Sequence, residues 1–197
     1  MTALPSPRQF AQIRHGYDPD PRRSLSLKAD AYTDNAWFEA DRQAILAKHW
    51  QWGCHVEKLR TPGDYVTAGI AGQPIVITRA GDGLLRAFYN VCKHRAHMLL
   101  TGAGNTSRIM CPYHAWVYRL SGELVRAPET DALEDFDTND ICLDQVKVTE
   151  FAGFVFVNLD PDAAPLQEVA GNLETEIRHW APDIENLTFA RRLTYDI

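Results

Sequence analysis

The spacing of apolar positions changes three times along the chain. Residues 1 to about 28 are rich in Pro, Arg and Ser and show no periodicity, which predicts an arm, loose or laid across a neighbour. Over residues 32–50 the period is helical. Trp37, Phe38, Ala44, Ile45 and Leu46 form an apolar stripe, and Thr33 or Asp34 stands where a cap is needed. Past Trp50, short β-branched and aromatic runs alternate with turn residues. Residues 65–70 and 74–78 flank Ala71-Gly72, and 84–89 follows Gly81-Asp82-Gly83. Residues 116–120 precede Ser121-Gly122, and 147–151 and 154–158 flank Ala152-Gly153. Short strands at this spacing predict an antiparallel sandwich or small barrel. After Pro161 the helical period returns. Leu166, Val169, Leu173, Ile177 and Trp180 share one face of a helix opened by Pro165 and stopped by Pro182, and residues 187–197 read as a strand.

Composition narrows the function classes. At 197 residues with 45% hydrophobic content, the chain has enough apolar surface for a core without disulfides. A formal net charge of -6 argues against nucleic acid as a partner. The greasiest run, 151–159, is strand length, so no membrane span or export signal is expected. Four Cys are too few for a disulfide scaffold and fit a reducing compartment, with the cytoplasm as the expected location. In such a compartment Cys close to His more often holds metal.

Two such pairs occur, Cys92-Lys-His94 and Cys111-Pro-Tyr-His114, sixteen residues apart. The first follows a predicted strand and the second precedes one, which places both on loops at one end of the sheet. Two loops that each offer a thiolate and an imidazole suit a [2Fe–2S] centre whose two irons differ. Cys92 and Cys111 would hold one iron, and His94 and His114 the other. Two ferric ions, two sulfides, two thiolates and two neutral imidazoles sum to no net charge, whereas four thiolates would give a dianion. The mixed set therefore favours accepting an electron, and loss of imidazole protons in the oxidised state predicts a potential that falls with pH on the alkaline side. Zinc is the competing occupant of two Cys and two His. Zinc sites usually pair Cys with Cys at close spacing, and here each pair is mixed.

The segments Asn90-Val-Cys92-Lys-His94-Arg95-Ala-His97 and Cys111-Pro-Tyr-His114-Ala-Trp116-Val-Tyr118 resemble the Rieske motif in the α (terminal oxygenase) subunit of ring-hydroxylating-type non-haem iron oxygenases. The likeness extends over residues 38–50, Pro62-Gly-Asp64, Gly102-Ala-Gly104-Asn105, Gly122-Glu-Leu124 and 153–158, and covers roughly residues 30–197. It implies three parts: an N-terminal arm and helix (1–45), a mainly β, antiparallel sandwich or barrel Rieske domain (46–160), and a helix and first strand (161–197) leading into a truncated α+β catalytic domain. It further implies electron transfer fed by an NAD(P)H-dependent reductase or a ferredoxin, a trimeric enzyme, and either aromatic ring hydroxylation or oxidative N-demethylation. The mononuclear non-haem iron of that family would belong to the catalytic domain, so no catalytic residue is expected in this chain. A stand-alone Rieske ferredoxin and a zinc-stabilised binding module are the alternatives.

The departures from respiratory Rieske proteins carry information too. Those proteins have a further Cys pair where this chain has His97 and Tyr113, and a Ser that hydrogen-bonds a cluster sulfide where it has Trp116. Without that donor, a potential near the low end of the Rieske range is expected, on the order of -150 mV. His97 is expected to pack or hydrogen-bond beside the centre, and Cys54 and Cys142 to act as small buried hydrophobes. Lys93 and Arg95 either favour the reduced state or form surface ion pairs. The Gly102–Gly104 segment is expected to be a tight loop near the centre, and the acidic stretch 129–140 a solvated loop.

Overall fold

The computed structural model describes residues 16–130, 132–191 and 193–195. Residues 1–15 of the expected arm lie outside this set. Ten strands follow in chain order: β1 Gln51–His55, β2 Asp64–Ile70, β3 Gln73–Arg79, β4 Leu85–Tyr89, β5 Ala103–Asn105, β6 Ile109–Met110, β7 Val117–Tyr118, β8 Leu124–Arg126, β9 Gln145–Phe151 and β10 Phe154–Asn158. Seven form one antiparallel sheet in the order β1-β10-β9-β4-β3-β2-β5, and β6-β7-β8 form a second, smaller one. The ends of the larger sheet turn towards each other, since β1 touches β2 although four strands stand between them in the order. This is the mainly antiparallel β architecture that the alternating pattern predicts.

The period-two rule explains how the two sheets are joined. Along β3, Ile75 and Ile77 enter a core with Leu59, Val66, Val155 and Val157, inside the curl of the large sheet. Val76 points the other way, into a second core with Phe88, Ile109, Tyr118, Leu124 and Leu143, between the large sheet and the small one. Thr78 shares the parity of Val76, and its buried hydroxyl donates to the Leu120 carbonyl at 2.9 Å, a polar tie between the sheets. Gly122 closes the turn from β7 to β8 at φ 105°. A Cβ there would sit 2.6 Å from a Phe88 ring carbon, so the residue is set by both backbone and space.

The helices depart from the expected continuous segments. The pattern over 32–50 resolves into a single turn, Asp30–Thr33, then α1, Asn35–Asp41, then a π-helical turn, Arg42–Leu46. Asp34 interrupts the first two because it is itself the cap: its backbone is extended and its carboxylate accepts from Ala36 N at 2.8 Å. Arg42 ties this segment to the β2–β3 turn through the Ala71 carbonyl at 2.7 Å. After the sheet, the expected single helix is two, α2 Leu166–Ala170 and α3 Leu173–Trp180, broken where Gly171 adopts φ 58°. Residues 187–191 and 193–195 form no strand. A β pattern needs a ladder to join, and Phe189 instead donates its backbone N–H to Glu57 at 2.9 Å.

Candidate metal centre

The two Cys–His pairs sit on loops built to one plan. In the first, Val91 bridges Met98, Cys92 N donates to His97 O at 2.8 Å, and Ala96 N donates to Cys92 O at 3.0 Å. In the second, Met110 pairs with Val117, Cys111 N donates to Trp116 O at 2.8 Å, and Ala115 N donates to Cys111 O at 3.1 Å. In each, the fourth residue after the Cys is an Ala in the left-handed region, Ala96 at φ 52° and Ala115 at φ 55°. That conformation costs roughly 1–2 kcal/mol per non-Gly residue, so two matching instances mark a turn the surroundings enforce.

The plan sorts the side chains. Cys92 and Cys111 are buried in the core between the sheets and approach each other, while His94 and His114 lie on the outer side with ring centroids 4.7 Å apart. Among the described residues no three His, Cys, Asp or Glu side chains converge as a mononuclear metal site requires. The arrangement is two pairs. His114 Nδ1 is buried with no hydrogen-bond partner, a state that costs about 1–3 kcal/mol unless something binds there. Burial, with His94 and Arg95 close by, pushes the His114 pKa down and keeps the ring neutral, the form that ligates metal. Two inward thiols and two outer imidazoles, one with an unpaired buried nitrogen, fit a [2Fe–2S] group.

Neighbouring residues brace the loops. Buried Asn90 pairs its side-chain amide with both backbone groups of Leu100, donating to O at 2.7 Å and accepting from N at 3.0 Å, which closes the base of the first loop. The Tyr118 hydroxyl accepts from Lys93 N at 3.1 Å and lies 3.3 Å from Cys92 Sγ. Because the amide proton already occupies an oxygen lone pair, the phenolic proton is free to point at sulfur. Burial pushes the Tyr118 pKa up, so the proton stays on oxygen, and burial likewise pushes the Cys92 thiol up. Lys93 Nζ pairs with Asp144 at 2.8 Å, the ion-pair outcome of the two expected for it. Trp116 stacks on His94 at 4.9 Å and 7°, and Phe136 meets the indole edge-on at 5.9 Å.

His97 is exposed, accepts Cys92 N through its backbone carbonyl and places Nδ1 2.6 Å from Met98 O, beside the centre. Cys54 is buried, with its thiol pushed up to about 11 by burial, while Cys142 is half-buried. Gly102–Gly104 is not a free loop: Ala103–Asn105 adds β5 to the edge of β2. The acidic stretch is largely exposed, yet its Phe136 packs on the inter-sheet core, and with Leu133 and Glu129 it walls a cavity of about 480 Å³ against His94, His114 and Trp116. Nothing in its composition distinguishes Phe136; only the folded loop does. A second cavity of about 500 Å³, near Gly63, Asp82 and Arg119, touches none of the four Cys and His. Among the described residues, no helix is long and apolar enough to cross a membrane.

Residues 49–137 match the family model of the Rieske [2Fe-2S] domain. The chain is 38% identical over 176 residues to the carnitine monooxygenase oxygenase subunit of Escherichia coli (strain K12), covering 89% of this chain and 47% of that one. It is 38% identical over 139 residues to the anthranilate 1,2-dioxygenase large subunit of Acinetobacter baylyi, covering 70% and 30%. Among solved structures, the quaternary ammonium Rieske monooxygenase in complex with L-carnitine superposes at TM-score 0.79 with 40% identity, over 83% of this chain and 47% of that one. The chain thus spans about half the length of the carnitine oxygenases it matches. The proteins matched here are oxygenase subunits, and residues 49–137 of this chain are a Rieske [2Fe–2S] domain of the kind those Rieske non-haem iron oxygenases carry.

Proposed function

We propose that this chain is the electron-relay portion of a Rieske oxygenase, and that Cys92 and Cys111 hold one iron of the cluster while His94 and His114 hold the other. The observation that carries the assignment is the pair of matching loops, with two buried thiols, two outer imidazoles and an unpartnered Nδ1 on His114. When bound, the group supplies one-electron chemistry at a potential raised by its neutral ligands. The chain's residues do the rest. Asn90 and the two left-handed alanines fix the loops, Tyr118 donates to the Cys92 sulfur, and the inter-sheet core keeps water from the thiolates. His94 and His114 face the cavity beside the acidic stretch, the exposed edge through which an electron would enter or leave.

The proposed setting is a cytoplasmic, trimeric enzyme fed by a reductase or ferredoxin, with the mononuclear iron held in the half of such oxygenases that this chain does not span. Oxidation of a small quaternary ammonium compound is the proposed activity, supported by likeness to the carnitine monooxygenase over 89% of this chain against 70% for the anthranilate enzyme. Iron, zinc and acid-labile sulfide measured on anaerobically purified protein test the centre. About two irons and two sulfides per chain are expected; about one zinc without sulfide would refute the assignment. Reductase-driven oxygen uptake by the full-length protein, with carnitine and with anthranilate, tests the substrate class.

A further inference from the structure

The two loops are copies in backbone but not in surroundings. The fifth residue after the Cys is His97 in the first and Trp116 in the second. His97 is exposed, whereas Trp116 is buried at 7% exposure and reaches across to the other loop, lying flat on the His94 ring at 4.9 Å and 7°. Neither ring nitrogen of His94 has a hydrogen-bond partner among the described residues, and the residue itself is exposed. Its ring meets two others, the indole face of Trp116 and the edge of His114. Trp116 is itself held on two sides. Its carbonyl closes the second loop, and Phe136 meets it edge-on.

We propose that Trp116 is a positioning residue for His94: the indole clamps the outer imidazole in one orientation, keeps one of its faces dry and so sets the redox poise of the centre. The inference rests on the proposed ligation. Anionic thiolates favour ferric iron more than uncharged imidazoles do, so with the proposed group held here an electron delivered by the proposed reductase or ferredoxin would be favoured on the imidazole side, where Trp116 packs. That electron would add one negative charge to the site. The negative π-face of an indole and the exclusion of water both disfavour that charge, so Trp116 holds the potential down.

The test compares W116F, W116L and W116M with wild-type protein by iron and sulfide content, the EPR spectrum of the reduced protein, and the reduced-to-oxidised ratio at one fixed ambient potential. Loss of the indole face, which disfavours the reduced state more than the oxidised one, is expected to raise that ratio about threefold. W116F, which still stacks, should keep the wild-type spectrum and ratio, while W116L and W116M should load the cluster with shifted g-values and the higher ratio. Loss of the cluster from W116L and W116M with retention in W116F would also support the clamp. A wild-type spectrum and ratio in W116L, a lowered ratio, equal change in W116F, or loss of the cluster from all three would overturn it. Wild-type protein without iron and sulfide would instead refute the ligation beneath it.

Discussion

Replacing Tyr118 with Phe removes one oxygen from a fully buried site and leaves the ring that fills it. Two contacts go with that oxygen: the 3.1 Å bond from Lys93 N and the 3.3 Å contact to Cys92 Sγ. The first loss strands a backbone donor, which costs about 1–3 kcal/mol of stability. The second acts on the proposed cluster. A hydrogen bond to a charged acceptor contributes about 1.5–3 kcal/mol against about 0.5–1.5 for a neutral one, and the sulfur becomes more negative on reduction. A differential on the order of 1 kcal/mol between redox states follows. For one electron, a tenfold change in equilibrium corresponds to about 59 mV and about 1.4 kcal/mol, so Y118F should lower the potential by about 40 mV. An EPR-monitored redox titration reads the shift, and denaturant unfolding of the same samples reads the stability. A potential that is unchanged or higher, with the cluster intact, would show that the phenolic proton does not point at Cys92.

Three other perturbations test separate parts of the fold. Arg42, and after it Gln43, hold the Glu39 carboxyl at about 2 against its usual 4.5, so the contact stabilises fully above the unfolded value and is lost as pH falls from 4.5 through about 2. E39Q should therefore unfold more easily than wild type at pH 7, with the gap narrowing steadily as pH falls from 4.5 towards 2; a gap that persists unchanged at the acid end would contradict the pairing. G122A places a Cβ 2.6 Å from Phe88 and 2.9 Å from Cys142 Sγ at φ 105°, and should cost about 2–4 kcal/mol by denaturant titration, with a change under about 1 kcal/mol counting against the packing described. Cys54, buried and held at about 11 by burial despite nearby Lys58, should resist iodoacetamide at pH 8 in native protein and react on unfolding, as mass spectrometry of tryptic peptides would show.

Much of this was legible in the sequence because its signals are local. The turns at Ala71-Gly72, Ser121-Gly122 and Ala152-Gly153 are decided by backbone conformations that few residues tolerate, and all three form. Asp34 caps the first long helix, as its place in the sequence predicts, while the helical period extended past Asp41 gives way to a π-helical turn that periodicity does not mark. Gly171 was hidden by an apolar period that runs straight across it, and the left-handed φ there ends α2. Residues 187–195 carry a strand pattern, but a strand exists only if an edge is offered to it, and that is decided by the rest of the chain.

The site divides the same way. Two Cys–His pairs at close spacing are a local fact, and the loops' shared hydrogen-bond scheme follows from each Cys lying one residue past a bridge and four before a left-handed Ala. What distinguishes the two outer imidazoles is not local. His94 is covered by an indole from the other loop, that indole is backed by Phe136 from a stretch whose charge suggested only solvent, and Cys92 receives its contact from a tyrosine 26 residues away. A relay must exchange electrons at an exposed edge without exposing its thiolates. The fold meets both demands by giving the thiols to the inter-sheet core and leaving the imidazoles at a cavity rim. The residues that tune such a relay then have to come from elements that cross between the loops, which is why sequence spacing exposes the two Cys–His pairs and the motif that holds Trp116 and Tyr118, but not what those two side chains touch, nor Phe136 behind them.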